Sequence, residues 1–533
     1  MKVAIIGAGA SGLTAIKCCL DEGLEPVCYE RTDEIGGLWN YKEEVRPGQA
    51  SVMKSTVINT SKEIMCYSDF SIPTEFPIFM HNKLVLQYFH LYAKQFGLMK
   101  HIRFQHEILS VRKHANFADT GQWDISVRNK VTGMTEDLVY DAVLVCTGHH
   151  AEVHKPTFPG LDRFKGKVIH SHDFKSTAGY EDKRIVIVGI GNSGGDAAVE
   201  LSRVASQVYL STRRGTWILN RVADHGLPVD MLNINRFLNS IVGRFPSLVS
   251  SYAESQLNKK FDHELYSLKP NHRVFSQHPM VNDDLPNRII CGSVVVKPNV
   301  IEFTESGVKF DDGTFEDNID VVFLATGYVF GFPFLDKNVV EVKNNEIELF
   351  KYAFPPDLEK PTLAVIGFIQ PIGAIMPICE LQCRLATRLF KGDVQLPPQS
   401  EMWRDIKDKK EKMSRVYVKS QRHTIQVDFI PFLDELAKLN GSMPNFKKMF
   451  FRDPVLTLKC IFGPCTPYQY RLEGPGAWKG ARKAILTQWD RTLAPLKTRP
   501  MKLEVRRSQK GFVVFFMCVV AIFIIFLSMF IKD

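Results

Sequence analysis

Short unbroken apolar runs that end in glycine recur along this chain, separated by stretches with helical periodicity. Val3 to Ile6 is four apolar residues in a row, followed by Gly7. A run of this kind suits a parallel strand covered on both faces. A helical stretch follows from Leu13 to about Asp21, then a second strand, Glu25 to Glu30. The pattern repeats with Arg184 to Val188, a helix reaching about Val204, and Gln207 to Ser211. Each half also has a returning apolar strand, Asp141 to Gly148 and Asp320 to Tyr328. Strands alternating with helices predict an α/β fold built from two Rossmann-like βαβ domains. The first is expected over 1–155 and 328–445, the second over 156–327. Residues 216–290, with prolines at 228, 246, 270, 279 and 286, read as a helical insertion in the second.

The C-terminal end has a different pattern. Phe512 to Ile531 holds 20 residues without a charged side chain. As a helix it would be about 30 Å long, the thickness of a bilayer core. A transmembrane anchor over 512–531 is therefore expected. The preceding flank carries Lys497, Arg499, Lys502, Arg506, Arg507 and Lys510 against Glu504. That bias predicts a cytosolic face for the bulk of the chain. Residues 446–510, with Phe450, Phe451, Phe462, Trp478 and Trp489 among basic residues, form a membrane-proximal region. Its aromatics suit either a membrane-facing surface or ordinary core. The N-terminus lacks the pattern of a signal peptide and reads as a first strand.

The glycines suggest what the two βαβ units bind. Gly7-Ala8-Gly9-Ala10-Ser11-Gly12 matches G-x-G-x-x-G between a strand and a helix, and Glu30 ends the next strand. In such a unit one glycine makes the turn, another admits a pyrophosphate, and the third lets helix and strand pack. The acid accepts bonds from ribose hydroxyls, which suits an unphosphorylated adenosine as in FAD. The second unit carries Gly189, Gly191, Asn192, Ser193, Gly194, Gly195 and Asp196, but its second strand runs into Arg213 and Arg214. An arginine there pairs with a 2′-phosphate where a carboxylate would repel it, so NADPH is expected over NADH. A solvated turn is the plainer reading of that arginine pair.

Composition narrows the class. The 533 residues are 45% hydrophobic and 23% charged, which excludes a disordered or collagenous chain and one made mostly of membrane spans. The net charge of +9 is mild for this length and does not argue for nucleic acid. Eleven cysteines are scattered without a disulfide framework or zinc spacing, and no metal site is expected. Two dinucleotide sites suggest hydride transfer from NADPH to a flavin. The next acceptor is then either a redox disulfide, for which Cys460 and Cys465 are the candidates, or dioxygen. A non-catalytic, NADPH-sensing membrane protein is the alternative of another class.

The linker between the two halves adds a specific signature. Phe164-Lys-Gly166-Lys-Val-Ile-His170-Ser-His-Asp-Phe174 fits F-x-G-x-x-x-H-x-x-x-[YF] just before the second glycine motif. Gly36-Gly37-Leu38-Trp39, Asn59-Thr60-Ser61-Lys62, Cys146-Thr147-Gly148-His149, Ala325-Thr326-Gly327-Tyr328 and Gln370-Pro371 follow in order. With these motifs the whole chain resembles the flavin-containing monooxygenases. Thr147 to His150, Arg213 to Trp217 and Ser420 to Gln426 point to the fifth subgroup of vertebrate isoforms. The resemblance implies that NADPH reduces FAD, that oxygen adds as a C4a-hydroperoxide, and that it passes to nitrogen or sulfur of a small lipophilic compound. It also admits Baeyer–Villiger oxidation of ketones and NADPH oxidase activity releasing hydrogen peroxide. It implies an endoplasmic reticulum membrane location and leaves a homo-oligomer open. By motif, Gly7 to Gly12, Glu30, Leu38, Trp39, Ile58, Thr60 and Gln370 would hold FAD. Gly191 to Asp196 and Arg213 would hold NADP, and Asn59 would be the catalytic residue between flavin and nicotinamide. From spacing alone Asn59 reads as a turn residue, and His170 as structural.

Overall fold

The computed structural model describes residues 1–418, 420 and 424–499. The 512–531 anchor lies outside the described residues, as do 500–510 of the membrane-proximal region and part of the Ser420 to Gln426 stretch. Among the described residues no helix is long and apolar enough to cross a membrane.

Two five-stranded parallel sheets organise the chain. In the first, β1 (Lys2–Ile6) is central, with β2 (Glu25–Glu30) and then Ile102–Phe104 on one side. Ala142–Val145 and then Leu363–Val365 lie on the other. The second sheet repeats the arrangement. Arg184–Val188 is central, flanked by Gln207–Ser211 and Val294–Lys297 on one side, Val321–Leu324 and Lys167–His170 on the other. In both, the first strand lies between its βαβ partner and the returning strand. The strand order reverses there, the position at which open α/β sheets take ligands outside the carboxyl ends of their strands. The returning strands end at Val145 and Leu324, short of their apolar runs.

The chain leaves the first half at Glu152–Val153 and returns at Tyr328–Val329, and these two segments pair antiparallel. A three-stranded antiparallel sheet, His106–Lys113, Trp123–Asn129 and Thr135–Tyr140, decorates the first half. Residues 216–290 do form helices: Val229–Asn233, Arg236–Arg244, Pro246–Lys260 and Leu285–Ile290. They also contribute a two-stranded pairing, Ile218–Leu219 with Met280–Val281.

The second sheet has apolar clusters on its two faces. The first sheet shares one continuous core with Ile378 and Cys383 of the long helix Ile375–Lys391, and with Cys460, Cys465, Tyr468, Tyr470 and Ile485. Residues 446–496 are thus part of the globular body. Of the five aromatics read there as membrane-facing or core, only Phe451 is strongly exposed, at 81%. Phe462 packs on Phe237 of the insertion and Trp478 on Tyr468.

Candidate functional site

The first glycine turn is built as its sequence demands. Gly7 adopts φ +101°, and a Cβ there would lie 2.8 Å from the Cys146 carbonyl. A Cβ on Gly12 would collide with the Gly7 carbonyl, so helix α1 (Ala10–Asp21) can start this close to β1 only with glycine. Gly9 caps α1 without a side-chain bond, and no acid sits in the first turn. The helix therefore presents free N–H groups and its positive end, an anion-binding arrangement. Ala8 N–H donates to Glu30 Oε2 at 2.8 Å, while Glu30 Oε1 accepts from Thr32. The carboxylate at the end of β2 is thus held against the glycine turn. Leu38 and Trp39 lie on a short turn of helix, Gly37–Trp39, and Gly36 N–H donates to the Ala8 carbonyl at 3.0 Å. Gln370 starts a short strand, and its N–H donates to Ile425 O at 2.7 Å.

The second turn repeats these features. Gly189 has φ +108°, and Gly194 packs on its carbonyl where a Cβ would clash. Gly191 caps the helix Asn192–Leu201 without a side-chain bond, again with no acid in the first turn. Gly195 lies under the Met280 sulfur, so the insertion covers this helix. Asn192 Oδ1 accepts from Val281 N–H at 2.8 Å. Ser193 and Arg213 are exposed, with Arg213 just past the strand Gln207–Ser211. Both cradles fit the phosphates of a dinucleotide, and the residue types at their strand ends fit FAD in the first and NADPH in the second.

Ile58, Asn59 and Thr60 form a half-buried turn, anchored by Ile58 N–H on Met80 O at 2.9 Å. Asn59 Oδ1 accepts from Arg221 Nη2 at 2.7 Å, and Arg221 Nη1 pairs with Asp283 Oδ2 at 2.8 Å. One residue before that aspartate, Asn282 Nδ2 donates to Asp196 Oδ1 at 2.9 Å. Direct contacts therefore run from Asn59 in the first half to the nucleotide helix of the second. Burial pushes the Asp196 carboxyl up to about 6, against the pull of nearby Arg221. Arg221, Asn282 and Asp283 were not found in the sequence, because a lone arginine inside an insertion carries no motif. Only Asn282 left a local signal. Its Oδ1 accepts from Asp284 and Leu285 N–H at the start of a helix, the pattern of an Asx cap.

The segment after Asn59 is held tightly. Helix α2 (Lys62–Met65) has only four residues, and Ser61, Lys62 and Glu63 are fully buried. Ser61 N–H donates to Asp230 Oδ2 of the insertion at 2.6 Å. The Lys62 ammonium donates to the carbonyls of Pro73, Thr74 and Phe76, and burial lowers its pKa to about 8. Glu63 accepts from Arg491 Nε at 2.9 Å and Nη2 at 2.6 Å, and from the Tyr468 hydroxyl at 2.9 Å. His170 is buried as well. Its Nδ1 accepts from His172 N–H at 3.1 Å, and burial drops its pKa to about 4, which fits a neutral structural histidine.

Cys460 and Cys465 are both free and buried, and burial lifts the Cys460 thiol to about 12. Thiols so disfavoured as thiolates make a poor redox couple. Among the described residues no cluster of histidine, cysteine or acid could hold a metal.

Comparison with known proteins agrees with this geometry. The model of the flavin-binding monooxygenase-like family matches residues 1–532. Flavin-containing monooxygenase 5 of Mus musculus is 54% identical over 99% of both chains, and that of Homo sapiens 53% over the same shares. Dimethylaniline monooxygenase [N-oxide-forming] 2 of Cavia porcellus is 48% identical over 99% of this chain and 98% of its own. Among solved structures, S-allyl-L-cysteine S-oxygenase from Allium sativum aligns with a TM-score of 0.64 at 23% identity, covering 92% of this chain and 98% of its own. Cyclohexanone monooxygenase bound to cyclohexanone aligns at 0.60 and 15% identity, over 83% and 97%. Both share the fold.

Proposed function

The chain belongs to the flavin-containing monooxygenases and is an NADPH-dependent enzyme that uses FAD; from that premise we propose that it oxygenates nitrogen or sulfur in small lipophilic compounds. Bound FAD, once reduced, supplies the electrons that activate dioxygen. The chain's own residues bind, orient and enclose. The α1 N-terminus and the glycine turn before it would take the FAD pyrophosphate, with Glu30 at the ribose. Leu38, Trp39, Ile58, Thr60 and Gln370 would surround the rest of it. The second cradle, Gly191 to Asp196, would take NADP, and Arg213 would pair with its 2′-phosphate. The Asn59 amide both donates and accepts, so it can orient an oxygen between the two cofactors without adding charge.

The contact chain Asn59–Arg221–Asp283, continued by Asn282–Asp196, carries this reading, because it brings the Asn59 turn to the nicotinamide half. The same contact supports a second reading. A guanidinium beside Asn59 favours negative charge on oxygen, which attack on a ketone carbonyl needs and attack by an amine or thioether on oxygen does not. Baeyer–Villiger oxidation is therefore the alternative, and hydrogen peroxide release is the outcome of either when substrate is absent. Incubating the purified enzyme with NADPH and a thioether, or with an aliphatic ketone, and weighing the products by mass spectrometry separates them. A sulfoxide supports the first reading; an ester without sulfoxide overturns it in favour of the second.

The apolar 512–531 run and its basic flank support a C-terminal anchor in the endoplasmic reticulum membrane with the catalytic body in the cytosol. Protease treatment of sealed microsomes tests it, since a cytosolic body is digested without detergent.

A further inference from the structure

The contacts of α2 raise a question that cofactor binding does not answer. A four-residue helix cannot sustain itself, and this one carries a fully buried lysine and glutamate directly after the Asn59 turn. The lysine is satisfied locally, by carbonyls 11 to 14 residues away. The glutamate is satisfied from the far end of the body. Both Glu63 oxygens face the fork of Arg491 on the helix Gln488–Leu493, 428 residues later, and Oε2 also accepts from Tyr468. Arg491 is tied back in turn by Nη1 to Thr487 Oγ1 and Nη2 to the Ala484 carbonyl, so its plane is fixed. Nearby, Arg471 holds Ser68, Asp69 and Glu380, which fixes the chain on the other side of α2.

A buried ion pair of this kind adds little net stability over an apolar pair of the same size. What a bidentate fork adds is orientation. Glu63 lies four residues after Asn59, and only Thr60 and the extended Ser61 separate the Asn59 turn from α2, so a displacement of α2 is passed along this short link to the Asn59 amide. Displacements near 1 Å at a reacting centre cost roughly a hundredfold in rate.

We propose that Arg491 and Tyr468 are positioning residues for oxygenation, acting through Glu63 to set the Asn59 amide. The segment 467–493 is then part of the catalytic scaffold, although none of its residues needs to touch substrate. This inference rests on the reading of Asn59 given above, and the experiment keeps the two apart.

The readout is oxygenated thioether formed per NADPH consumed, with hydrogen peroxide measured in parallel, on full-length enzyme and normalised to bound flavin. A purely structural role would lower melting temperature or flavin content but leave this ratio unchanged. Arg491→Lys, which keeps the charge and loses the fork, is expected to lower the ratio about tenfold and raise peroxide, with NADPH KM within about twofold. Tyr468→Phe removes one hydrogen bond and is expected to lower it about threefold. Arg482→Ala, in an exposed pair with Asp453, is the control and should match the parent. If Arg491→Lys does not retain flavin, Tyr468→Phe alone decides by the same criterion. Parent-like ratios in both variants, while Asn59→Asp uncouples, overturn this inference alone. A parent-like ratio in Asn59→Asp overturns the reading of Asn59 and this inference with it.

Discussion

Asn59 and Arg221 are 162 residues apart and share one hydrogen bond at the meeting of the two halves. Asn59→Asp keeps the shape and turns that bond into an ion pair, adding negative charge where the proposed reading has oxygen activated. The expected result is normal flavin content with at least tenfold less product, read by flavin absorbance and product assay. On the reading proposed above, Arg213 acts on binding alone. Its replacement by alanine should raise the NADPH KM roughly tenfold or more and leave the NADH KM nearly unchanged, since a charge-assisted pair is worth about 1.5–3 kcal/mol. Asp196 gives a pH signature. Burial pushes its carboxyl up to about 6 in the folded chain against an ordinary 3.8, so the folded state holds its proton more tightly than the unfolded one. Stability from this group is complete below about 4 and is lost as pH rises through about 6. Asp196→Asn keeps an oxygen for Asn282 and removes the titration. Relative to the parent it should melt higher at pH 7.5 than at pH 4.5, measured on flavin-loaded enzyme without NADPH.

At the scale of elements, the glycine turns bind their helices so closely that a single methyl is decisive. Gly12→Ala would press a Cβ into the Gly7 carbonyl. A loss of about 1–3 kcal/mol is expected, seen as a lower melting temperature and poor flavin retention. These turns were also the most legible part of the sequence. Strand, glycine spacing and helix are local, so the run Val3 to Gly12 announced β1 and the start of α1 without help from the rest of the chain. Helix α2 was not legible. Its identity depends on Asp230, Tyr468 and Arg491, which come together only after folding, and a lysine and glutamate side by side read as surface. Arg221 was hidden for the same reason. The aromatics after residue 446 were ambiguous because core and membrane surface draw on the same residue types. Packing sets Trp478 and Trp489 against the core and leaves Phe451 exposed.

For the whole molecule, the two parallel sheets share one design and meet along the paired segments Glu152–Val153 and Tyr328–Val329. The insertion is fastened to the first half at several points. Ser61 N–H meets Asp230, Arg236 pairs with Asp434 at 2.7 Å, and Cys465 N–H reaches the Ile234 carbonyl. The helix Asn192–Leu201 of the second half and the first half therefore share a common roof. Residues 446–496 pack into the same body. Because Arg471 and Arg491 neutralise the buried Glu380 and Glu63, and Tyr468 donates a hydrogen bond to Glu63, the place to shorten this polypeptide for crystallisation is dictated from inside. A version stopping after residue 499 keeps those three side chains and should emerge yellow and monodisperse. One stopping at 445 strands the buried Glu63 and Glu380 without the arginines that pair with them and should precipitate colourless.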